Sequence, residues 1–381
     1  MNCKILLSAL LIAALLVGCG REDGPAPSGR TVLVGVIAPD YGEASFKGRR
    51  GAFGMKQPLR RQGLLDDGAR VVLRVQSVRD EADAGVAALE QLAQEPELMA
   101  VVSFLNSDAM LAVAPVAERL GVPVLLASAT NHELIQGRAY VSQLIFDDRL
   151  QAEVSALYIR DELLFDRVAV FADPDNSYSR FLSAEFTRKF TDVGGTVLAT
   201  VEQGPRGIDY ATELESLRRQ GPQLLYITLG ANAVEAILKQ LKAMAWQPQL
   251  LVREGVLSQL VTRGPRPRSQ FDGIIGTDVY MDDLPVTPAG RNYRSLEREA
   301  GESLDTYSVL GYESMQVLTA AMNRCASQGL DRRCVAASVR NTRDLQGLVG
   351  PIAIDDSGHA LRPVVVNTIQ KGRLVYLVRV N

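Results

Sequence analysis

The sequence predicts an α/β protein of two units, each a parallel sheet flanked by helices. Three observations carry this expectation. From Thr31 onward short β-branched runs alternate with longer stretches of helical period, the pattern of strands joined by crossover helices. The alternation restarts after residues 140–146. The 381 residues also suit two domains at roughly 150 residues each.

In the first unit, strands are expected at 32–38, 71–77, 98–104 and 122–127, with helices at 45–57, 83–94 and 107–120. The second unit places helices at 150–164, 180–193, 210–219 and 231–245 among strands at 168–172, 196–201, 224–228 and 250–252. The tail returns to helices at 288–300, 307–326 and 331–340. It closes with strands at 364–369 and 374–380 around Gln370-Lys371-Gly372-Arg373, a hairpin signal.

Composition narrows the function. Hydrophobic residues at 47% and charged residues at 22% exclude a disordered, fibrous or polytopic membrane chain. The balance of 41 Lys+Arg against 44 Asp+Glu, without a long basic run and with 6% aromatics, supplies neither the charged stripe nor the stacking platform that nucleic acid needs. No nucleic-acid partner is therefore expected.

Lys4 precedes an apolar run over residues 5–17, broken only by Ser8 and too short to span about 30 Å of hydrocarbon as a helix. Residues 1–18 read as a secretion signal. The ending Leu16-Val17-Gly18-Cys19 resembles the bacterial lipobox, which implies that Cys19 is acylated and becomes the mature N-terminus. The Gly- and Pro-rich stretch up to residue 31 then acts as a flexible tether. The expected product is exported and lipid-anchored to a bacterial membrane, facing the periplasm or the exterior. Once Cys3 is removed and Cys19 acylated, Cys325 and Cys334 remain. An exported compartment permits a disulfide across the loop containing Ser327-Gln328-Gly329; two buried free thiols are the alternative.

Catalytic and metal chemistry find little support. His132 and His359 are the only histidines and lie far apart, which leaves no His-based zinc spacing. There is no Gly-Lys pair for a Walker A loop and no G-x-S-x-G elbow. Asp173, Asp175 and Ser177 match the opening of an EF-hand loop, but Tyr178 and Ala184 stand where Gly and Glu are needed. The acid pairs Asp147-Asp148 and Asp282-Asp283 read as solvated surface. Neither enzyme activity, metal nor cofactor is expected.

Binding residues gather where strands end. Ser107 opens a helix, where its hydroxyl, the unpaired backbone N–H groups and the helix dipole all favour an anion such as a carboxylate. The strand at 122–127 runs into Ser128-Ala129-Thr130-Asn131, small hydroxylated residues at the carboxyl end of a parallel strand. Glu254 follows the apolar strand Leu250-Leu251-Val252, a position that faces a cleft.

Taken in order, these pieces resemble the type I periplasmic solute-binding proteins, specifically the branched-chain amino-acid receptors of ABC transporters. The resemblance covers residues 32–381. It rests on Tyr41-Gly42, Asn106-Ser107-Asp108, Ala112-Val113-Ala114-Pro115, the run 121–131 with Glu133-Leu134, and Arg253-Glu254-Gly255. It implies two lobes joined by three hinge crossovers, here 32–147 plus 279–355 and 148–278 plus 356–381. It also implies that Ser107, Ser128 and Thr130 grip the ligand's carboxylate and ammonium from lobe 1 and that Tyr41 flanks its side chain. Tyr178 and Glu254 would close from lobe 2, Glu254 against the ammonium. The implied partners are a small amino-acid-like ligand, an ABC permease and, through the lipid, the membrane. An envelope scaffold regulating a cell-envelope enzyme and an amide or small-molecule sensor are the rival functions. The chain departs from the family pattern at Phe104-Leu105, Gly230-Ala231 and Arg253, where the family often has Gly-Pro, a tyrosine and a proline. These changes open the site to a polar or acidic ligand.

Overall fold

The computed structural model describes residues 25–61, 63–202, 209–263, 267–280, 291, 294–295, 298, 301 and 304–380. The signal run, Cys19, Asp282-Asp283 and most of the helix expected at 288–300 lie outside these residues. The first sheet has the order β2-β1-β3-β4-β5 and is parallel throughout. Its strands are β1 (Thr31–Pro39), β2 (Arg70–Val78), β3 (Leu98–Ser103), β4 (Val124–Leu126) and β5 (Val141–Gln143). They are linked by helices α1 (Ser45–Arg61), α2 (Ala82–Ala93) and α3 (Ser107–Leu120). Leu89 and Leu92 of α2 and Met110 and Val113 of α3 bury one face of this sheet against Leu33, Ile37 and Val101.

The second sheet begins after α4 (Asp148–Leu157), which continues into a π turn at Tyr158–Glu162. Strands β6 (Arg167–Ala172), β7 (Thr196–Glu202), β8 (Leu224–Ile227), β9 (Gln249–Val252) and β10 (Ile275–Asp278) are parallel. Between them run α5 (Ser177–Asp192), α6 (Ala211–Gln220), α7 (Ala231–Ala243) and the short α8 (Val256–Thr262). The chain then returns to the first sheet as α9 (Thr306–Ala326) and α10 (Arg332–Arg340). A small antiparallel sheet follows, of β11 (Leu345–Gln346), β12 (Pro351–Ile354) and β13 (Ala360–Leu361). Finally β14 (Val364–Gln370) and β15 (Arg373–Val380) add to the second sheet as an antiparallel hairpin beside β10. Lys371 and Gly372, with φ of 51° and 71°, give its tight turn the twist that matches the strands.

Helix α9 covers the other face of the first sheet together with α1, and the two helix backbones touch. A Cβ on Gly311 would overlap the Gly51 carbonyl, so that approach requires glycine. Cys325 in α9 and Cys334 in α10 are joined in a disulfide with Cα atoms 5.9 Å apart, tying the two helices together.

The chain passes between the sheets at 144–147, leaves the second sheet after β10, and returns to it at 362–363. Gly358, just before β13, accepts a bond from Gln143 N at 2.8 Å, which keeps residues 356–361 beside the first sheet. Buried Arg362 ties these passages: Nη1 donates to Glu313 Oε2 at 2.9 Å and to the Leu144 carbonyl at 3.2 Å. Burial pushes the Asp278 carboxyl at the end of β10 up to about 7, against the pull of hydrogen bonds from the Thr306 hydroxyl and the Val279 N–H.

Candidate functional site

The carboxyl ends of β3 and β4 in one lobe and of β6, β8 and β9 in the other converge on a cavity of about 350 Å³. This is where open α/β sheets place their ligands. On the lobe 1 side, Asn106 caps α3 by accepting Ala109 N at 2.8 Å, while its own N–H donates to Asp80 at 2.7 Å. Ser107 therefore opens the helix at the cavity wall, with first-turn N–H groups that the helix itself cannot use. Its buried hydroxyl accepts only a 3.4 Å bond, from Asn131 N. Ser128 also lines the cavity, its hydroxyl donating to the Leu105 carbonyl at 3.1 Å.

On the lobe 2 side, Asn176 caps α5 three residues earlier than the sequence suggests, so Tyr178 rides in the helix's first turn. Its hydroxyl donates to Glu254 Oε2 and lies 3.4 Å from Gln151 Oε1. Glu254 is aimed by the turn after β9. Gly255 there adopts φ 71°, and a Cβ on it would sit 2.5 Å from the Tyr307 hydroxyl. Arg253 completes the wall. Its Nη1 lies 3.3 Å from Glu254 Oε1 and 3.2 Å from the Glu254 carbonyl, and its guanidinium stacks 5.2 Å from the Tyr178 ring centre. Burial and then the Glu254 charge raise the Tyr178 phenol well above its ordinary value, fixing it as a neutral donor. For Arg253, burial works against the charge, but the Glu254 carboxylate beside it outweighs that and raises the guanidinium further.

Ser107, Ser128, Tyr178 and Glu254 thus meet around one cavity; Tyr41 and Thr130 do not line it. Tyr41 is 67% exposed and stacks with the Arg79 guanidinium at 4.8 Å, outside the cleft. Thr130 is buried near Asp148, and among the described residues its hydroxyl makes no hydrogen bond. Asp148 corrects the expectation of a solvated acid pair: Asp147 caps α4 through Leu150 N at 2.9 Å, and Asp148 is fully buried. That burial, together with nearby Glu254, holds the Asp148 carboxyl well above the usual carboxylate range.

Sequence reasoning missed Glu43, Lys47, Asp80, Asp173 and Tyr307, all of which line the cavity. Two acids of lobe 1 reach across it. Asp108 accepts Ser177 N at 2.9 Å and Asn176 Nδ2 at 2.7 Å, at the start of α5. Glu43 accepts Ala231 N at 2.7 Å at the start of α7 and pairs with Arg263 at 3.5 Å. The lobes are closed on each other through these contacts, each a carboxylate at a helix N-terminus. The signal that could have found Glu43 is Gly230, where a Cβ would stand 2.9 Å from the Glu43 carboxylate. The acid occupies space that an aromatic side chain would fill.

Two sheets closing over a polar cavity through three chain passages define a two-lobed solute-binding protein. A family model described as periplasmic binding protein matches residues 31–373. The chain belongs to the periplasmic binding protein family, in its type I form. Among solved structures, it is 27% identical to a leucine binding protein, LivK, of Thermotoga maritima, with a TM-score of 0.84 over 92% of this chain and 99% of that one. It is 17% identical to LivJ of Streptococcus pneumoniae, a branched-chain amino acid transporter protein in complex with isoleucine, with a TM-score of 0.81 over 91% and 100% of the two chains. An R. palustris ABC-transporter solute binding protein in complex with benzoate is 16% identical, with a TM-score of 0.81 over 92% and 96%. No curated protein matches the chain.

Proposed function

We propose that this protein captures an amino acid or amino-acid-like carboxylate between its lobes and presents it to an ABC permease. The observation that carries this reading is the cavity itself. One wall offers hydroxyls and a helix start suited to a carboxylate, the other an aromatic and charged group, and Asp108 and Glu43 bridge the two lobes beside it. Ligand contacts made by both walls at once would favour the closed arrangement over the open one. Ser107 receives the carboxylate, Ser128 and Tyr178 flank it, and no bond is made or broken. The leucine, isoleucine and benzoate named for the neighbouring structures are all small carboxylates, which supports the ligand class.

Export and anchoring belong to the same proposal. The short apolar run before Cys19 and the family both support secretion, with Cys19 acylated and residues 19–31 as the tether. A thermal-shift screen of the full chain against amino acids and small carboxylates tests the capture reading. A ligand at 100 times its Kd should stabilise by about 2.7 kcal/mol. No shift across the panel refutes capture. Replacing Cys19 with Ser should release the protein from the membrane fraction or block its maturation, since buried acyl chains contribute about 0.8 kcal/mol per CH₂.

A further inference from the structure

The negative charge of Glu254 is already answered from inside the wall. One carboxylate oxygen receives the Tyr178 hydroxyl, and the other faces Arg253 Nη1 at 3.3 Å. Only 4% of the Glu254 surface is exposed, so there is little room for a further cation to approach it. Most other acids at the cavity are engaged in the same way. Asp80 pairs with Lys47 at 2.9 Å and accepts Asn106 N, and Glu43 holds Ala231 N and Arg263. Asp173, which has no cation beside it among the described residues, turns into its own loop, where Oδ1 accepts Asp175 N at 3.0 Å. Arg253, by contrast, has hydrogen-bonding capacity to spare. Both its bonds use Nη1, and among the described residues Nη2 and Nε donate to no protein atom.

We propose that Arg253 supplies the positive charge that an amino acid's ammonium would otherwise bring, so that the preferred ligand is a carboxylate without an ammonium group. This rests on the capture reading above and narrows its ligand class. An α-ammonium entering this cavity would sit beside a fixed guanidinium and would have to displace it from Glu254. A carboxylate without an ammonium meets Ser107 and the start of α3 on one side and the uncommitted Nη2 of Arg253 on the other, and it leaves the Arg253–Glu254 pair intact.

Calorimetry on the full chain with matched pairs tests this: leucine against 4-methylpentanoate, phenylalanine against 3-phenylpropanoate, and glutamate against glutarate. In every pair where binding is measurable, the acid without the ammonium should bind at least about tenfold tighter. Arg253→Ala frees Glu254 and should shift each preference at least about tenfold toward the amino acid, with the melting temperature of the empty variant showing that it is folded. A wild-type protein that binds the amino acid more tightly than its partner overturns the inference and leaves capture standing. If no member of any pair binds to either protein, the capture reading falls and this inference falls with it.

Discussion

The two walls of the cavity are built on opposite plans. Around Ser107 the lobe 1 wall is uncommitted: the hydroxyl at the helix start accepts one long bond, and the bonds of neighbouring Asn106 hold the backbone in place. The lobe 2 wall is saturated, with Tyr178, Glu254 and Arg253 bonded to one another before any ligand arrives. A wall with free donors can be used by a ligand at little cost to the fold, whereas a wall of mutually paired charges is also part of the fold's stability. Substitutions on the two sides should therefore fail in different ways.

The largest effect is expected from lobe 2. Glu254→Gln leaves the Arg253 guanidinium largely buried without its counter-charge, at a cost of about 3 kcal/mol in unfolding free energy, measurable by urea titration. A variant as stable as the parent would show that this wall is not held by the pair. The hinge beneath both walls comes next. Folded Asp278 keeps its proton up to about 7, whereas the unfolded chain releases it near the ordinary carboxyl value of 3.8, so the folded state binds more protons in between. Stability from this group is present below the lower value and is lost as pH rises through the upper one. Asp278→Asn should therefore gain steadily on the parent as pH rises from about 4 to about 7 and level off above that. Parallel stability curves for the two proteins would contradict the assignment.

On lobe 1, Ser107→Ala should weaken carboxylate binding by about 1.5 kcal/mol, roughly tenfold, while moving the unfolding midpoint of the empty protein very little. The reverse pattern, a destabilised protein with unchanged affinity, would erase the contrast between the walls. The smallest effect is expected at the seam. Asp108→Ala removes the lobe 1 carboxylate from the start of α5 and should lower affinity by about 1 kcal/mol without touching the ligand, because the closed arrangement loses a bridge. Titration calorimetry would read this as a several-fold weaker Kd, and an unchanged Kd would mean that closure does not use this contact.

The same contrast explains what could be read in the sequence. Helix α3 is legible from Ser107 to Leu120 because an apolar strand precedes it and Ser107 opens it; the structure adds that Asn106 is the cap and Gly121 ends it. The terminal hairpin was legible for the same reason, through Lys371-Gly372. Strand β10 and helix α8 were not. Ile275-Gly276-Thr277-Asp278 is short and half polar, and it is a strand because β9 and β14 flank it and Leu257 packs where a Gly276 side chain would be. Among site residues, Ser107 and Ser128 carry their chemistry in local pattern. Glu43, Asp108 and Asp148 take their roles from partners 188, 69 and 106 positions away, the last being Glu254 beside a carboxyl that looked solvated. Tyr41 matched a motif, but its side chain points to solvent.

The central claim is that lobe 1 holds the ligand's carboxylate at Ser107, and one double-mutant cycle tests it most directly. The affinities of 4-methylpentanoate and its primary amide, 4-methylpentanamide, are measured by calorimetry for the parent protein and for Ser107→Ala. If the hydroxyl and the carboxylate meet, each change alone weakens binding by about tenfold, and the two together cost little more than one, since they report a single contact. Full additivity of the two losses, or tighter binding of the amide by the parent protein, would contradict the account and move the carboxylate away from Ser107.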